Sequence, residues 1–228
     1  MLQAFQQIQH YYFNLEIGLK YLPVMLSGFW VTVQMAFVII LIGFVLGLLL
    51  AVIRTLRIRL VNFFLIIYID VFRAIPQLVI IVFAYFALPY AGITLGSFWS
   101  ATLSLGLILA AFNEEIFWAG FTSVERGQWE AARSSGLTFL QALRYVVVPQ
   151  AIRLAIPPLT NRTIAITKGT SLASVVAVQE IIKSATGSVA LSANPTPLMM
   201  GAVLYLILFA PLVRLSRWIE NRYGSWKR

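Results

Sequence analysis

Residues 128–151 read QWEAARSSGLTFLQALRYVVVPQA, a polar stretch between two long apolar segments. Its first eight residues are rich in alanine, glutamate and arginine, which are good helix formers. Gly136 follows where a left-handed residue ends a helix at little cost, and Thr138 with Gln141 forms a capping-box pattern. Pro149 limits how far a second helix runs. The stretch therefore predicts two short helices joined by a tight turn.

The composition around this stretch is that of an integral membrane protein. Of the 228 residues, 60% are hydrophobic and 11% are charged, whereas soluble domains carry roughly 25% charged residues. Several apolar runs reach the roughly 20 residues that cross a bilayer core. Cysteine is absent, and His10, the lone histidine, has no second ligand nearby. We therefore expect neither a disulfide nor a metal site.

Five hydrophobic segments predict about five membrane spans in an all-α protein. They cover residues 23–53, 60–88, 98–121, 151–182 and 197–215. The first, second and fourth exceed the length of one crossing, so a tilt or a break is expected in each. Gly43 and Gly47 form a small-xxx-small pair, which predicts close packing of the first span against a neighbour.

The basic residues predict the orientation. Five spans place the termini on opposite sides of the membrane. Two loops then lie on the same side as the C-terminal tail. The basic residues on this side are Arg54, Arg57, Arg59, Arg126, Arg133, Arg144, Arg214, Arg217, Arg222, Lys227 and Arg228. The other side keeps Lys20, with Lys183 as a second candidate. The positive-inside rule then places the N-terminus outside and the C-terminus in the cytoplasm. The net charge of +9 is a topology signal with some attraction to lipid headgroups, and not a nucleic-acid footprint.

These patterns divide the chain into three parts. Residues 1–22 are polar and aromatic and are predicted to lie along the membrane interface before the first span. Residues 23–221 form the transmembrane domain, which includes the polar loop over residues 122–150. Residues 222–228 form a cytoplasmic tail.

The polar loop resembles a known motif. Glu130-Ala131-Ala132, three residues, Gly136, nine residues and then Val146-x-Val148-Pro149 is similar to the EAA loop of ABC importer permeases, which has leucine where this chain has Val148. The stretches EIFWAGFTSVERGQWEAA, PQAIRLAIPPLTNRTIAITKGTSLASV and FRAIPQL resemble the polar-amino-acid branch of that family. Together the match covers most of residues 22–221 and implies a fold like that of type I ABC importers.

The resemblance also implies roles and partners for this loop. It would dock into a groove of an ATP-hydrolysing subunit and carry motion to the spans. Glu130 would cap or anchor the first short helix, Ala131 and Ala132 would permit close approach, Gly136 would make the bend, and Pro149 closes the motif. The chain has no G-x-x-x-x-G-K-[ST] phosphate loop, so we expect it to be no enzyme, with ATP and Mg held by the partner.

The expected assembly lies in the bacterial inner membrane. A second permease subunit, identical or homologous, would complete about ten spans. Two ATPase subunits would dock at the loops, and an extracytoplasmic binding protein would deliver the amino acid. Membrane lipid would surround the spans.

The fourth hydrophobic segment carries polar residues where lipid is expected. Pro157-Pro158 and Gly169 predict a broken helix, and irregular backbone at membrane depth lines a cavity or is buried in protein. We therefore expect a substrate pathway formed by Asn161, Arg162, Lys168, Thr170 and Ser171, with Glu115 from the third segment. The structural alternative is that threonine and serine only bond helix backbones to their neighbours.

Two positions depart from the pattern of the branch. Lys168-Gly169-Thr170-Ser171-Leu172 stands where the branch has Lys-Asp-Thr-Ser-Leu, and Trp118 stands where it has arginine or lysine. Because the acidic position suits a positive group of the ligand, Gly169 favours an acidic or neutral amino acid over a basic one. A degenerate site in one of two different permease subunits is equally compatible with Gly169.

Further charges lie within the apolar segments. Asp70 and Arg73, three residues apart just before Pro76, are expected to form an internal pair at a proline kink. Glu114 and Glu115 point about 100° apart on a helix, so they are not expected to share a proton, and an enzymatic role is weak.

A rival hypothesis is an ion-coupled secondary amino-acid carrier without an ATPase. It would use Glu115, Lys168 or Glu180 as an ion relay. It leaves the loop from Glu130 to Pro149 without a role.

Overall fold

The computed structural model describes residues 11–223, which form helices and connecting turns without a strand in that range. The α-helices are α1 Leu15–Thr55, α2 Arg59–Ala74, α3 Gln77–Phe86, α4 Ser97–Ser123, α5 Arg126–Ser134, α6 Phe139–Ala142, α7 Val148–Thr167, α8 Ile181–Ser192 and α9 Thr196–Tyr223. Two 3₁₀ helices cover Leu88–Ala91 and Lys168–Val176, and a π turn covers Leu143–Val147. The all-α prediction is confirmed.

The prediction of about five spans also holds. Four helical stretches in the described range are long and apolar enough to cross a membrane, namely Leu15–Thr55, Ser97–Ser123, Phe139–Val176 and Thr196–Asn221. The interrupted pair α2 and α3 supplies a fifth if it is counted as one span.

The helices at the two ends of the described range extend across the bounds of the predicted division, which stays a prediction. Helix α1 starts at Leu15, so the predicted boundary at residue 23 lies inside a helix. The position of residues 11–22 at the interface stays a prediction. Helix α9 extends to Tyr223, and residues 1–10, which include His10, and 224–228 lie outside the described part of the chain.

The second hydrophobic segment breaks at its proline, as its length predicted. Helix α2 ends at Ala74, and Ile75 is extended, with φ −81° and ψ 133°. The residue before a proline is pushed out of the helical region by the proline ring. Helix α3 then starts directly after Pro76. The first segment, by contrast, is one unbroken helix of 41 residues.

The fourth segment breaks at one of its two predicted places. The α-helix gives way to a 3₁₀ helix at Lys168, next to Gly169. The break predicted at Pro157-Pro158 is wrong, because both prolines lie inside α7. Membrane helices tolerate interior prolines where neighbouring groups satisfy the freed carbonyls.

The expectation that Pro149 limits the second loop helix is also wrong. Helix α6 continues through the π turn into α7, so residues 139–176 form one helical stretch. The N–H of Val148 bonds to the carbonyl of Leu143. Pro149 then lies in the first turn of α7, where a proline is tolerated.

The chain forms two compact units. Among the described residues, the first unit contains residues 11–39, 77–105 and 167–212, and the second contains residues 40–76, 106–166 and 213–223. The core of the first unit includes Met25, Ile181, Ala185 and Leu204. The core of the second unit includes Ala51, Phe117, Phe121, Val124, Leu143, Val147, Ala151, Ala155 and Leu159.

The two glycines of α1 pack closely in the second unit, which confirms the small-residue prediction. A Cβ atom on Gly43 would overlap Leu109 of α4. A Cβ atom on Gly47 would lie 2.7 Å from the Cβ of Asn113 and 3.0 Å from the carbonyl oxygen of Ala110. Small residues therefore let α1 approach the backbone of α4.

In the first unit, a buried carboxylate fixes the start of α8. Glu180 is fully buried and accepts hydrogen bonds from the N–H groups of Ile182 (2.9 Å) and Lys183 (2.7 Å). The hydroxyl of Tyr205, on α9, donates to the same carboxylate at 2.7 Å. A side-chain acceptor at a helix start satisfies backbone donors that lack an intrahelical partner. Glu180 therefore joins α8 to α9.

Candidate coupling loop and substrate-pathway residues

Helices α5 and α6 form the predicted helix–turn–helix. Gly136 has φ 84°, and its N–H bonds to the carbonyl of Arg133 at 3.1 Å. The N–H of Leu137 bonds back to the carbonyl of Ala132 at 3.2 Å, and the Arg133 guanidinium donates to the carbonyl of Leu137 at 2.9 Å. Only glycine takes this left-handed conformation at little cost. The bend at Gly136 is confirmed.

The start of α6 carries the predicted capping box. The Thr138 hydroxyl accepts from the Gln141 N–H at 3.3 Å, and the Gln141 side chain accepts from the Thr138 N–H at 2.8 Å. The rings of Trp129 and Phe139 stack across the turn, with centroids 5.4 Å apart. Since Trp129 also packs on the core of the second unit, the loop is a rigid part of that unit.

The three residues of the EAA pattern lie in the middle and second half of α5. Ala132 is buried and Ala131 is exposed. Glu130 lies inside the helix and pairs with Arg126 at 3.8 Å, with side chains that are 70% and 94% exposed. Capping of the first helix by Glu130 is therefore wrong, because the N-cap position belongs to Glu125. An anchoring role for Glu130 towards a partner stays a prediction.

A cleft of about 980 Å³ lies beside this loop in the second unit. The end of α1, the end of α4 and both loop helices line it. Trp118 is part of its wall, and the Arg54 guanidinium lies 4.7 Å from the centre of the Trp118 ring. Trp118, one of the departures from the branch, thus holds an arginine by a cation–π contact.

Glu115 belongs to a charged cluster in the second unit. Its carboxylate lies 2.7 Å from the Arg73 guanidinium. Arg73 and Arg162 both approach the ring of Phe112, at 5.4 Å and 4.0 Å from its centre. Two of the predicted pathway residues, Glu115 and Arg162, are therefore linked through Phe112 and Arg73.

The predicted pair of Asp70 with Arg73 is wrong. Arg73 pairs with Glu115 instead, and among the ion pairs of the described residues none includes Asp70. A carboxylate on another helix approaches Arg73 more closely than one three residues away on its own helix.

Glu114 has a separate partner. It is fully buried, and both of its carboxylate oxygens lie 3.2 Å from one nitrogen of the Arg54 guanidinium. The two adjacent carboxylates thus pair with arginines on different helices, which agrees with the expectation that they share no proton.

Asn161 is engaged with α9 in the second unit. Its amide nitrogen donates to the Glu220 carboxylate, and its oxygen accepts from the Ser216 hydroxyl at 3.2 Å. Asn161 thus joins α7 to α9. Ser216 and Glu220 are four residues apart and share one face of α9, but their spacing does not show that Asn161 lies opposite them.

Lys168, Thr170 and Ser171 lie in the first unit, on the 3₁₀ helix. The Lys168 ammonium is 6.0 Å from the centre of the Phe209 ring, and the Ser171 hydroxyl donates to the carbonyl of Lys168 at 3.1 Å. Thr170 is fully buried, and its hydroxyl has no hydrogen-bond partner among the described residues. Ser171 therefore fits the structural alternative, whereas Thr170 keeps an unused polar group.

No cluster in residues 11–223 has the three or more histidine or carboxylate side chains that would hold a metal ion. The polar groups of the candidate sites are paired arginines and carboxylates, amides and hydroxyls.

Comparison with known proteins assigns the family. The family model for the binding-protein-dependent transport system inner membrane component matches residues 43–225. The chain belongs to this family. Probable glutamine ABC transporter permease protein GlnM of Bacillus subtilis (strain 168) is 36% identical over 214 residues, which cover 92% of this chain and 97% of GlnM.

Two further comparisons agree. Arginine transport system permease protein ArtQ of Bacillus subtilis (strain 168) is 28% identical over 206 residues, which cover 90% of this chain and 94% of ArtQ. The crystal structure of an amino acid ABC transporter with histidines matches with a TM-score of 0.80 and 30% identity, over 90% of this chain and 96% of that chain. This amino-acid ABC importer permease is therefore a multi-pass inner-membrane protein with a type I importer fold, as the resemblance over most of residues 22–221 predicted.

Proposed function

We propose that this permease carries a polar amino acid into the cell, driven by ATP that a partner ATPase hydrolyses while docked at the α5–α6 loop. The observation that carries the proposal is the rigid turn at Gly136, which presents α5 on the surface while α6 continues into α7. The glycine of the EAA motif is thus the residue at which the chain turns between α5 and α6.

The packing of the loop supplies a route for motion. Trp129 of α5 and Leu143 and Val147 of the π turn pack with Phe117 and Phe121 of α4 in one core. A displacement of α5 by a partner would therefore move α4 and α7 together, because closely packed cores transmit strain. If the partner ATPase binds the loop differently in its two states, each state favours a different conformation of the permease.

The proposed orientation follows the basic residues. The loop lies in the cytoplasm, the N-terminus outside and the C-terminus inside. An identical or homologous permease completes the channel, a pair of ATPases holds ATP and Mg, and an extracytoplasmic binding protein delivers the amino acid.

The proposed substrate is an acidic or neutral amino acid in preference to a basic one. Gly169 provides no carboxylate, and Arg162 and Lys168 place cations on the same helical stretch. Relatives named for glutamine and for arginine both match the chain, so membership of the family does not by itself decide between a neutral and a basic substrate. The Lys168 ammonium and the Thr170 hydroxyl are available to bind a ligand, whereas the side chains of Asn161 and Glu115 already bind protein groups.

Uptake of labelled amino acids into vesicles that contain the permease, its ATPase and its binding protein tests the proposal. Gly136→Val should abolish uptake while membrane insertion is retained, because a β-branched residue at φ 84° is strongly disfavoured. Gly187→Val is the matched control: both glycines have open space around them, but Gly187 lies outside the loop, on α8, and its φ is not positive.

Full uptake by the Gly136→Val variant would refute coupling through this turn. Equal uptake with and without ATP would refute ATP-driven import and would favour the ion-coupled carrier.

A further inference from the structure

Gln77 of α3 occupies the space beside Gly169 in the first unit. Gly169 is buried, and a Cβ atom built on it would overlap the Oε1 atom of Gln77. The same Cβ would lie 3.2 Å from a methyl carbon of Leu105. The carboxamide of Gln77 thus takes the volume in which any other residue at position 169 would carry its side chain.

The polar groups at this place have unused hydrogen-bonding capacity. Among the hydrogen bonds of residues 11–223, none involves the half-buried Gln77 side chain. The next residue after Gly169 is Thr170, whose buried hydroxyl also lacks a partner in the described chain. Buried polar groups in native proteins normally have partners, so the unpaired Thr170 hydroxyl indicates a ligand or water that completes it. The half-buried Gln77 carboxamide is accessible to such a ligand.

We propose that Gln77 is a specificity-determining residue of the permease: its carboxamide replaces the side chain missing at position 169 and selects an amino acid with a neutral, hydrogen-bonding side chain over a cationic one. This inference rests on the proposed function, since it assigns a contact within the same pathway.

The chemistry of the amide gives the preference. A carboxamide offers one oxygen acceptor and two N–H donors without charge. It can therefore pair with a ligand group that both donates and accepts, but it provides no counter-charge for an ammonium or guanidinium group. The adjacent Lys168 is exposed and positive, which further opposes a cationic ligand. Sites built for hydrogen bonding can reject analogues by large factors, because the wrong ligand leaves polar groups unpaired.

Gln77→Glu tests this assignment because it keeps the shape of the side chain and adds one negative charge. The ratio of uptake of an amide-bearing amino acid to uptake of arginine should fall at least about ten-fold relative to the unmodified permease, a difference of about 1.4 kcal/mol. Gln179→Glu is the matched control, since Gln179 is exposed in the same unit and none of the three atoms nearest to a Cβ on Gly169 belongs to it. That variant should keep the original ratio.

Gly169→Ala tests the position of the amide. The atom it would displace is the end of a flexible side chain, so the protein should fold normally while Gln77 moves. Gly169→Ala should change selectivity as much as Gln77→Ala does. The double variant Gly169→Ala with Gln77→Ala should show no further change, because all three variants lose the same contact between Gln77 and the ligand.

Binding is measured separately, as the stabilisation of the purified transporter complex against heat by glutamine and by arginine. A Gln77→Glu variant with the original preference in both uptake and binding would overturn the inference. In another outcome, Gln77→Glu shifts the binding preference, but the unmodified protein shows no ATP-driven uptake. That result would support the role of Gln77 in binding and would overturn only the proposed function.

Discussion

Removal of Arg54 should destabilise this permease strongly, because it would leave Glu114 charged and buried without a partner. The Glu114 side chain is fully buried, and that of Arg54 is 20% exposed. Unit charges 3.2 Å apart attract by about 5 kcal/mol at an effective dielectric constant of about 20. The loss of one partner from a buried pair typically costs about 3–5 kcal/mol. We expect Arg54→Met to lower the free energy of unfolding by that amount.

The neighbouring pair provides the matched comparison. Arg73 and Glu115 approach more closely, at 2.7 Å, but their side chains are 33% and 48% exposed. Exposed ion pairs contribute about 0–1 kcal/mol. Arg73→Met should therefore cost much less than Arg54→Met, although the distance alone would suggest the reverse order.

A double-mutant cycle separates the ion pair from the other contacts of Arg54. Arg54 also stacks on Trp118, and this contact is lost in Arg54→Met whether or not Glu114 is charged. Arg54→Met combined with Glu114→Gln removes the unpaired charge, so it should cost less than the sum of the two single variants. The assay is equilibrium unfolding in mixed micelles, followed by circular dichroism. Equal costs for Arg54→Met and Arg73→Met, or strict additivity in the cycle, would refute the reasoning.

Three other substitutions test contacts elsewhere in the fold. Gly47→Ala should cost roughly 1–3 kcal/mol in the same unfolding assay, because its methyl group would press on Asn113; an unchanged stability would contradict the close packing. Thr138→Ala removes a helix cap worth about 1 kcal/mol and should speed hydrogen exchange in α6; unaltered exchange would count against the capping box. Tyr205→Phe removes a hydrogen bond to the buried Glu180 carboxylate and should cost about 1.5–3 kcal/mol, whereas a neutral effect would show that this bond contributes nothing.

Features set by a few neighbouring residues were predictable from the sequence. The bend at Gly136, the Thr138–Gln141 capping box and the break at Pro76 each depend on backbone preferences that act over one turn. The small-residue pair of α1 was predictable as a packing face, although its partner helix was not. The importer family followed from the resemblance of the EAA loop, and the amino-acid branch from the resemblance of the three longer stretches around it.

Features set by contacts between distant helices were not predictable from spacing. Arg73 was expected to pair with Asp70 but pairs with Glu115, and the bonds of Asn161 to α9 were not expected. Spacing on one helix describes which residues share a face, and it does not describe what the next helix presents there.

The predicted effects of three prolines on the helices were wrong for the same reason. Pro149 and the pair Pro157-Pro158 were expected to limit or break helices. The sequence does not show that a π turn precedes Pro149 or that α7 continues through the other two.

Co-purification of partners with the tagged permease from native membranes, followed by mass spectrometry, shows whether an ATPase docks at the α5–α6 loop. We expect a P-loop ATPase to be recovered with the unmodified protein and with Gly187→Val, and to be lost with Gly136→Val. A preparation free of any ATPase that still transports amino acids without ATP would contradict it.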